Sequence, residues 1–129
     1  LVKAPKIFFF DNGFRNIVLK NFQSIKNRED KGSLYENFVA SELVKLGVSV
    51  RYWRSKSKAE VDFVVEEKGI VPLEVKSDLV KPKITKSFHS FTENYKPKKS
   101  YILSESLWSE SKGIKFRPIF YTSRIISKL

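Results

Sequence analysis

The stretch from Ala59 to Ser77, AEVDFVVEEKGIVPLEVKS, alternates in character over residues 59 to 66 and again over 70 to 76, after a glycine. That pattern predicts a β-hairpin. With Glu67, Lys68 and Gly69 as a three-residue loop and Gly69 in the left-handed position, the register pairs Glu66 with Ile70, Val64 with Pro72 and Asp62 with Glu74. Two carboxylates then face each other, with β-carbons about 4.5–5.5 Å apart, an arrangement that is destabilising without a compensating cation. A hard divalent ion, which takes oxygen ligands from one or two carboxylates and keeps several waters, is the simplest such group. Lys76 follows on the same face as Glu74, because strand side chains repeat every two residues. The same register also offers Glu60 opposite Lys76 as a plain cross-strand salt bridge. A slip of one residue would send the carboxylates to opposite faces.

Upstream of the hairpin, Gly32-Ser33 opens the clearest helical segment, with Ser33 as expected N-cap and Glu36 completing a capping box. Tyr35, Val39, Ala40, Leu43 and Leu46 form one apolar arc, and Asn37, Ser41 and Lys45 lie opposite. Glu36 falls inside the apolar arc. It is either a half-exposed cap or a buried acid that needs a cation or a proton. Gly47 ends the helix, and VSVRYWR, residues 48 to 54, reads as a strand. Before all this, KIFFF (residues 6 to 10) reads as a strand or extended segment running into the turn Asp11-Asn12-Gly13. A short helix over about 13 to 22 and a loop over 24 to 31 follow.

Downstream, a basic stretch with Lys81, Lys83 and Lys86 leads into a helix expected from about Pro82 to Tyr95. Strands are expected at 100 to 104 and 116 to 121, and residues 122 to 129 form a short helix or a tail. The order of elements predicts an α/β domain: a central mixed β-sheet with a three-strand meander, flanked by helices.

Composition narrows the function classes. At 129 residues the chain is one domain that can bury a core without staples. It has no cysteine, which excludes a disulfide scaffold and a thiolate zinc site and fits a cytoplasmic setting; its one histidine, His89, makes no metal cluster alone. The net charge of +11 and pI near 9.9 point to a phosphate-rich polymer, nucleic acid first. No apolar run is long enough to span a membrane, and no phosphate-binding G-x-x-x-x-G-K-[ST] loop occurs. The chain starts at Leu1 and contains no methionine, so a longer protein with further sequence upstream is expected.

An acidic residue on a helix, then Asp62, then Glu74-Val75-Lys76 after a hairpin turn, resembles the PD-(D/E)XK, or restriction endonuclease-like, nuclease superfamily. KGSLYENFVASELVKLG, VDFVV and LEVKS look like the archaeal Holliday-junction resolvases of that superfamily. KIFFFDNGFRN, LYENFVASEL, YWRSKSKAEVDFVV and PLEVKS resemble, over nearly all of the chain, the C-terminal domain of unknown function carried by archaeal-type AAA ATPases. The resemblance implies a restriction endonuclease-like fold over residues 1–129, with 1–31 an extension from an upstream ATPase domain.

It implies Mg²⁺ or Mn²⁺ held by Asp62, Glu74 and the main-chain carbonyl of Val75, with Lys76 beside the attacking water. Glu36 would hold a second metal or a metal-bound water. Arg54, Lys56, Lys58, Lys81, Lys83 and Lys86 are the cations expected on DNA. Val61 stands where the superfamily signature has proline, and Pro72 removes a ladder hydrogen bond from the strand that should be central, so that strand is expected to start late or to bulge. The function implied is metal-dependent cleavage of DNA phosphodiesters, in a protein for which a homodimer would suit two-site cutting. The alternative is a catalytically inactive nuclease-like module that binds DNA or protein and regulates the attached ATPase.

Overall fold

The computed structural model describes residues 5–129. Four helices, α1 (Asn12–Leu19), α2 (Lys31–Lys45), α3 (Lys86–Tyr95) and α4 (Thr122–Ile126), surround a sheet. Its strands are β1 (Val50–Arg54), β2 (Glu60–Glu66), β3 (Ile70–Val75), β4 (Tyr101–Ser104), β5 (Ser109–Ser111) and β6 (Ile114–Pro118). They lie side by side in the order β1-β2-β3-β4-β6-β5. The antiparallel meander β1-β2-β3 joins the parallel strands β4 and β6, and β5 closes the far edge antiparallel to β6.

Each sheet face carries its own core. Phe63, Val65, Val71, Leu73, Val75 and Leu103 pack beneath α2 and α4. On the other face Val61, Val64, Ile102 and Phe116 meet Phe88 and Phe91 of α3. Leu73, Ile102, Leu103 and Phe116 are fully enclosed, as strands covered on both faces must be.

Helix α2 begins earlier than the capping box predicts. Asp30, not Ser33, is its N-cap, and Ser33 lies exposed within the first turn. The Asp30 carboxylate does not cap the helix, because the guanidinium groups of Arg28 and Arg15 take it at 2.6–2.7 Å. The side of α2 that reads as polar is also buried. Asn37 accepts from the Phe9 amide at 2.6 Å and donates to the Phe9 carbonyl at 3.1 Å, and Ser41 donates to the carbonyl of Phe10 at 2.8 Å. Residues 6 to 10 therefore lie along α2 without a strand partner, and Asn12 adds a bond from its side-chain amide to the Leu34 carbonyl at 3.2 Å. Leu46, assigned to the apolar arc, is 40 % exposed.

The β2–β3 register follows the hairpin reading at Glu66↔Ile70 and Val64↔Pro72. The loop geometry differs: Lys68 holds the left-handed position (φ 49°), and Gly69 lies at φ 134°, where L side chains rarely go. Pro72 is accommodated because β4 begins to pair with β3 only at Leu73↔Tyr101, so that edge of the strand is unpaired at the proline. Helix α3 starts at Lys86, four residues after Pro82, with Thr85 as its cap. The final strand ends at Pro118 and residues 122 to 126 are helical.

Candidate functional site

The geometry turns on a fork in the sheet. The β2–β3 ladder stops at Phe63↔Leu73, and β3 continues alongside β4 through Glu74↔Ile102 and Val75↔Leu103. Strict alternation fails in β2 just there, since Val61 and Val64, three positions apart, share one core. Asp62 and Glu74 therefore do not form the ladder pair expected from the register. Instead Asp62 Oδ2 accepts the Val75 amide at 2.9 Å, so a side chain takes over a backbone role where the strands part. Its other oxygen, Oδ1, stands 3.5 Å from the ammonium of Lys6.

Glu74 is enclosed, with its side chain only 4 % exposed. Lys76 Nζ lies 2.9 Å from Glu74 Oε1, and the hydroxyl of Thr85 lies 3.1 and 3.0 Å from its two oxygens. Thr85 also accepts the Phe88 amide at 3.2 Å as the cap of α3. Burial pushes the Glu74 carboxyl up; the hydrogen bond from Lys76 opposes this, the negative charge of Asp62 adds to it, and the net direction is upward. For Lys76 burial acts downward, but the bond and charge of Glu74, with Asp62 and Glu36 behind them, raise it overall. The alternative partner for Lys76, Glu60, stands 3.3 Å from the guanidinium of Arg54 across the β1–β2 pair.

Glu36 projects from α2 and meets Lys6 at 3.1 Å. Burial acts downward on the Lys6 ammonium, but the hydrogen bond to Glu36 and the charge of Asp62 outweigh it and hold the group above the ordinary lysine value. The structure thus gathers Glu36, Asp62, Glu74 and Lys76 into one electrostatically connected cluster and adds Lys6 and Thr85. A cleft of about 390 Å³ opens beside it, walled by Phe8, Ala40, Val44, Tyr52 and Phe63, with Lys6 and Asp62 in its lining.

Lys6 and Thr85 were absent from the sequence-derived set. Lys6 sits in a run that reads as merely apolar, and no local pattern signals a contact thirty residues away. Thr85 carries a usable local signal, a threonine before an apolar helical repeat, but the expected helix start at Pro82 places it inside the helix rather than at its cap.

Carboxylates and a main-chain carbonyl are the ligand types a hard divalent cation takes. Among the described residues, however, no group of three or more His, Cys, Asp or Glu side chains, Glu36, Asp62 and Glu74 included, is arranged to hold an ion. Two ammonium groups, Lys6 and Lys76, supply the positive charge that the carboxylates demand.

The expected DNA-contacting cations divide by environment. Lys56 and Lys58 are exposed in the β1–β2 connection, Arg54 is engaged with Glu60, and Lys81, Lys83 and Lys86 are exposed around the start of α3, the helix whose cap touches Glu74. No helix among the described residues is long and apolar enough to cross a membrane.

Fold and site define a mixed α/β domain with an acid–lysine cluster, buried at Glu74 and open to solvent at its lysines, where the central strands part. The chain belongs to the family described as the domain of unknown function DUF4143, whose model matches residues 31–120. That span contains Glu36, Asp62, Glu74 and Lys76, while Lys6 precedes it. No curated protein and no solved structure matches the chain.

Proposed function

We propose that this domain is a metal-dependent nuclease of the restriction endonuclease-like class, cleaving DNA phosphodiester bonds as the C-terminal part of an AAA ATPase. The observation that carries the reading is the fork: Asp62 tied to the Val75 amide at 2.9 Å, with Glu74 and Lys76, the residues on either side of Val75, joined at 2.9 Å. Asp62, Glu74 and the Val75 carbonyl would hold Mg²⁺ or Mn²⁺, with Glu36 at a second ion or its water. When bound, the ion would polarise the scissile phosphate and acidify its water. Lys76, already charged and fixed by Glu74, orients a water at the fork and places an ammonium where negative charge develops. Lys81, Lys83 and Lys86 would neutralise backbone phosphates flanking the site, and Lys56 and Lys58 would extend the track. Phosphate contacts position a duplex without reading its sequence, so sequence-independent cutting of duplex or branched DNA is the activity expected. A homodimer would bring two such sites to opposite strands.

The test is calorimetric titration of Mn²⁺ into wild type and Asp62→Asn, with supercoiled-plasmid nicking on the same samples. Binding and nicking that both disappear in Asp62→Asn are expected. Wild-type domain that neither binds Mn²⁺ with DNA present nor nicks any DNA form would refute the nuclease reading. The cluster would then be a structural ion-pair network in a DNA- or protein-binding module that regulates the ATPase, a reading favoured by the ammonium groups that already satisfy the carboxylates.

A further inference from the structure

An aromatic surface at the far edge of the sheet has no part in the acid–lysine cluster. Continuing the β5–β6 register by one residue sets Trp108 opposite Arg117, whose guanidinium carbon lies 4.4 Å from the centre of the indole. Tyr121 meets the same indole nearly at right angles with ring centres 4.8 Å apart, and Phe120 adjoins Tyr121 at 6.3 Å. Trp108 is 56 % exposed and Phe120 65 %. We propose that Trp108, Phe120 and Arg117 form a stacking platform for unpaired bases of single-stranded nucleic acid. The inference rests on the nucleic-acid part of the reading above, names the form of the strand, and needs no metal ion.

Rings and charge lead to it. Every base has a π face, so exposed aromatic rings bind unpaired bases whatever their sequence, and a guanidinium beside them adds to the contact. Arg117 is fixed against the indole, because its Nη1 donates to the Ser109 and Phe116 carbonyls at 2.8 and 2.7 Å. Among the described residues its guanidinium forms no ion pair, so its charge stays uncompensated on a chain of net charge +11. The neighbouring acids are answered elsewhere: Glu105 is held by Lys31 at 2.9 Å, and Glu110 stands opposite Lys115 in the register. A duplex keeps its bases stacked on one another, and only an unpaired strand offers a free base to such a surface.

The fold sets this platform at the same end of the sheet as the acids. Val75, Leu103 and Arg117 are partners in one row across β3, β4 and β6, and Trp108 extends the row on the β5 side. With strands about 4.7–4.9 Å apart, Trp108 lies three strand spacings, on the order of 14 Å, from Val75. Val75 closes β3 and Arg117 is the last residue but one of β6, so both stand at the carboxyl ends of parallel strands, where open α/β sheets bind their ligands.

Two measurements test this, both in EDTA so that no divalent ion takes part. Fluorescence anisotropy at physiological ionic strength compares an oligothymidylate with an abasic strand of equal length. Wild type should bind the oligothymidylate more tightly. Trp108→Ala should lose about five- to hundredfold in affinity for it, the worth of one stacked base, and Trp108→Phe only a few-fold. Affinity for the abasic strand should be the same in all three proteins. Equal binding of both strands by wild type, or an equal loss on both in Trp108→Ala, overturns the proposal. The second arm uses wild type alone, so a variant that fails to fold does not block the test: an oligonucleotide carrying 5-iodouracil is photocrosslinked and the adduct is mapped by mass spectrometry. Adducts on Trp108, Phe120 or Tyr121 are expected; adducts only elsewhere, or none while the oligonucleotide demonstrably binds, overturn the proposal. A domain that stacks bases yet nicks no DNA keeps the platform and loses the nuclease reading, and nicking without base-dependent binding does the reverse.

Discussion

Replacing Asp62 with alanine should destabilise the domain through the strand junction it bridges. Its Oδ2 is the acceptor for the Val75 amide, and Val75 is 5 % exposed, so alanine strands a buried donor. An unsatisfied buried donor costs about 1–3 kcal/mol, with hydrogen bonds to charged acceptors toward the upper end. Loss of the Lys6 contact adds only about 0–1 kcal/mol, because that lysine side chain is 43 % exposed. Relief of repulsion with Glu74 offsets some of this, and a net loss of about 2 kcal/mol is expected for Asp62→Ala. On a domain of ordinary stability this is a large fraction, and it corresponds to a fall in Tm of about 6–10 °C for a chain of this size. Asparagine keeps an acceptor oxygen for Val75 and should lose less than about 1 kcal/mol. Urea unfolding followed by the fluorescence of Trp53 and Trp108, with hydrogen exchange at the Val75 amide, measures both variants. Equal stability of Asp62→Ala and Asp62→Asn, with Val75 exchange unchanged, would refute the structural role assigned to this carboxylate.

Other expectations follow from the same contacts. Asn37→Ala leaves the Phe9 amide and carbonyl without partners and should cost about 2–4 kcal/mol, with hydrogen-exchange protection lost selectively over residues 6 to 10. Leu73→Ala, at a fully buried site in the central strand, should cost about 3–5 kcal/mol by urea unfolding. The hydrogen bond from Arg28, with Arg15 behind it, holds the Asp30 carboxyl far below the usual carboxylate range. Its folded value is thus depressed, so its contribution is present at neutral pH and lost as pH falls below the unfolded value; the stability gap between wild type and Asp30→Asn should be constant above about pH 5 and narrow below about pH 4. If the basic track carries DNA, Lys81→Ala and Lys83→Ala together should reduce the slope of log affinity against log salt by about 2, read by fluorescence anisotropy.

Sequence reasoning reached the hairpin and its register from Glu66↔Ile70 to Val64↔Pro72, because alternation and a glycine-containing loop are local signals, but not beyond Phe63, where the expected Asp62–Glu74 pair does not form. It also reached the α2 helix and the order of the main elements. It stopped where partners come from afar. Asn37 and Ser41 look like a solvated helix face until residues 6 to 10 are laid across them. Ser33 has a capping-box pattern, yet Asp30 and two arginines fix the helix start upstream. Strand β5 has no alternation to announce it and exists through pairing with β6. Asp62 was placed on the right strand, but its tie to a backbone amide depends on β3 turning away toward β4, which no local pattern encodes.

The Thr85 hydroxyl has a single proton and shares it with Glu74, while its oxygen receives the Phe88 amide. One rotor thus serves two masters, the entry of a helix and a buried acid. Any event that redirects the Glu74 carboxylate, a change of counter-ion above all, must reorient that hydroxyl and alter the grip on the first turn of α3. The exchange rate of the Phe88 amide should accordingly change when the Glu74 carboxylate changes partner. Lys86 is the first residue of α3, so one hydroxyl joins the start of the helix that carries its charge to the acid beneath it.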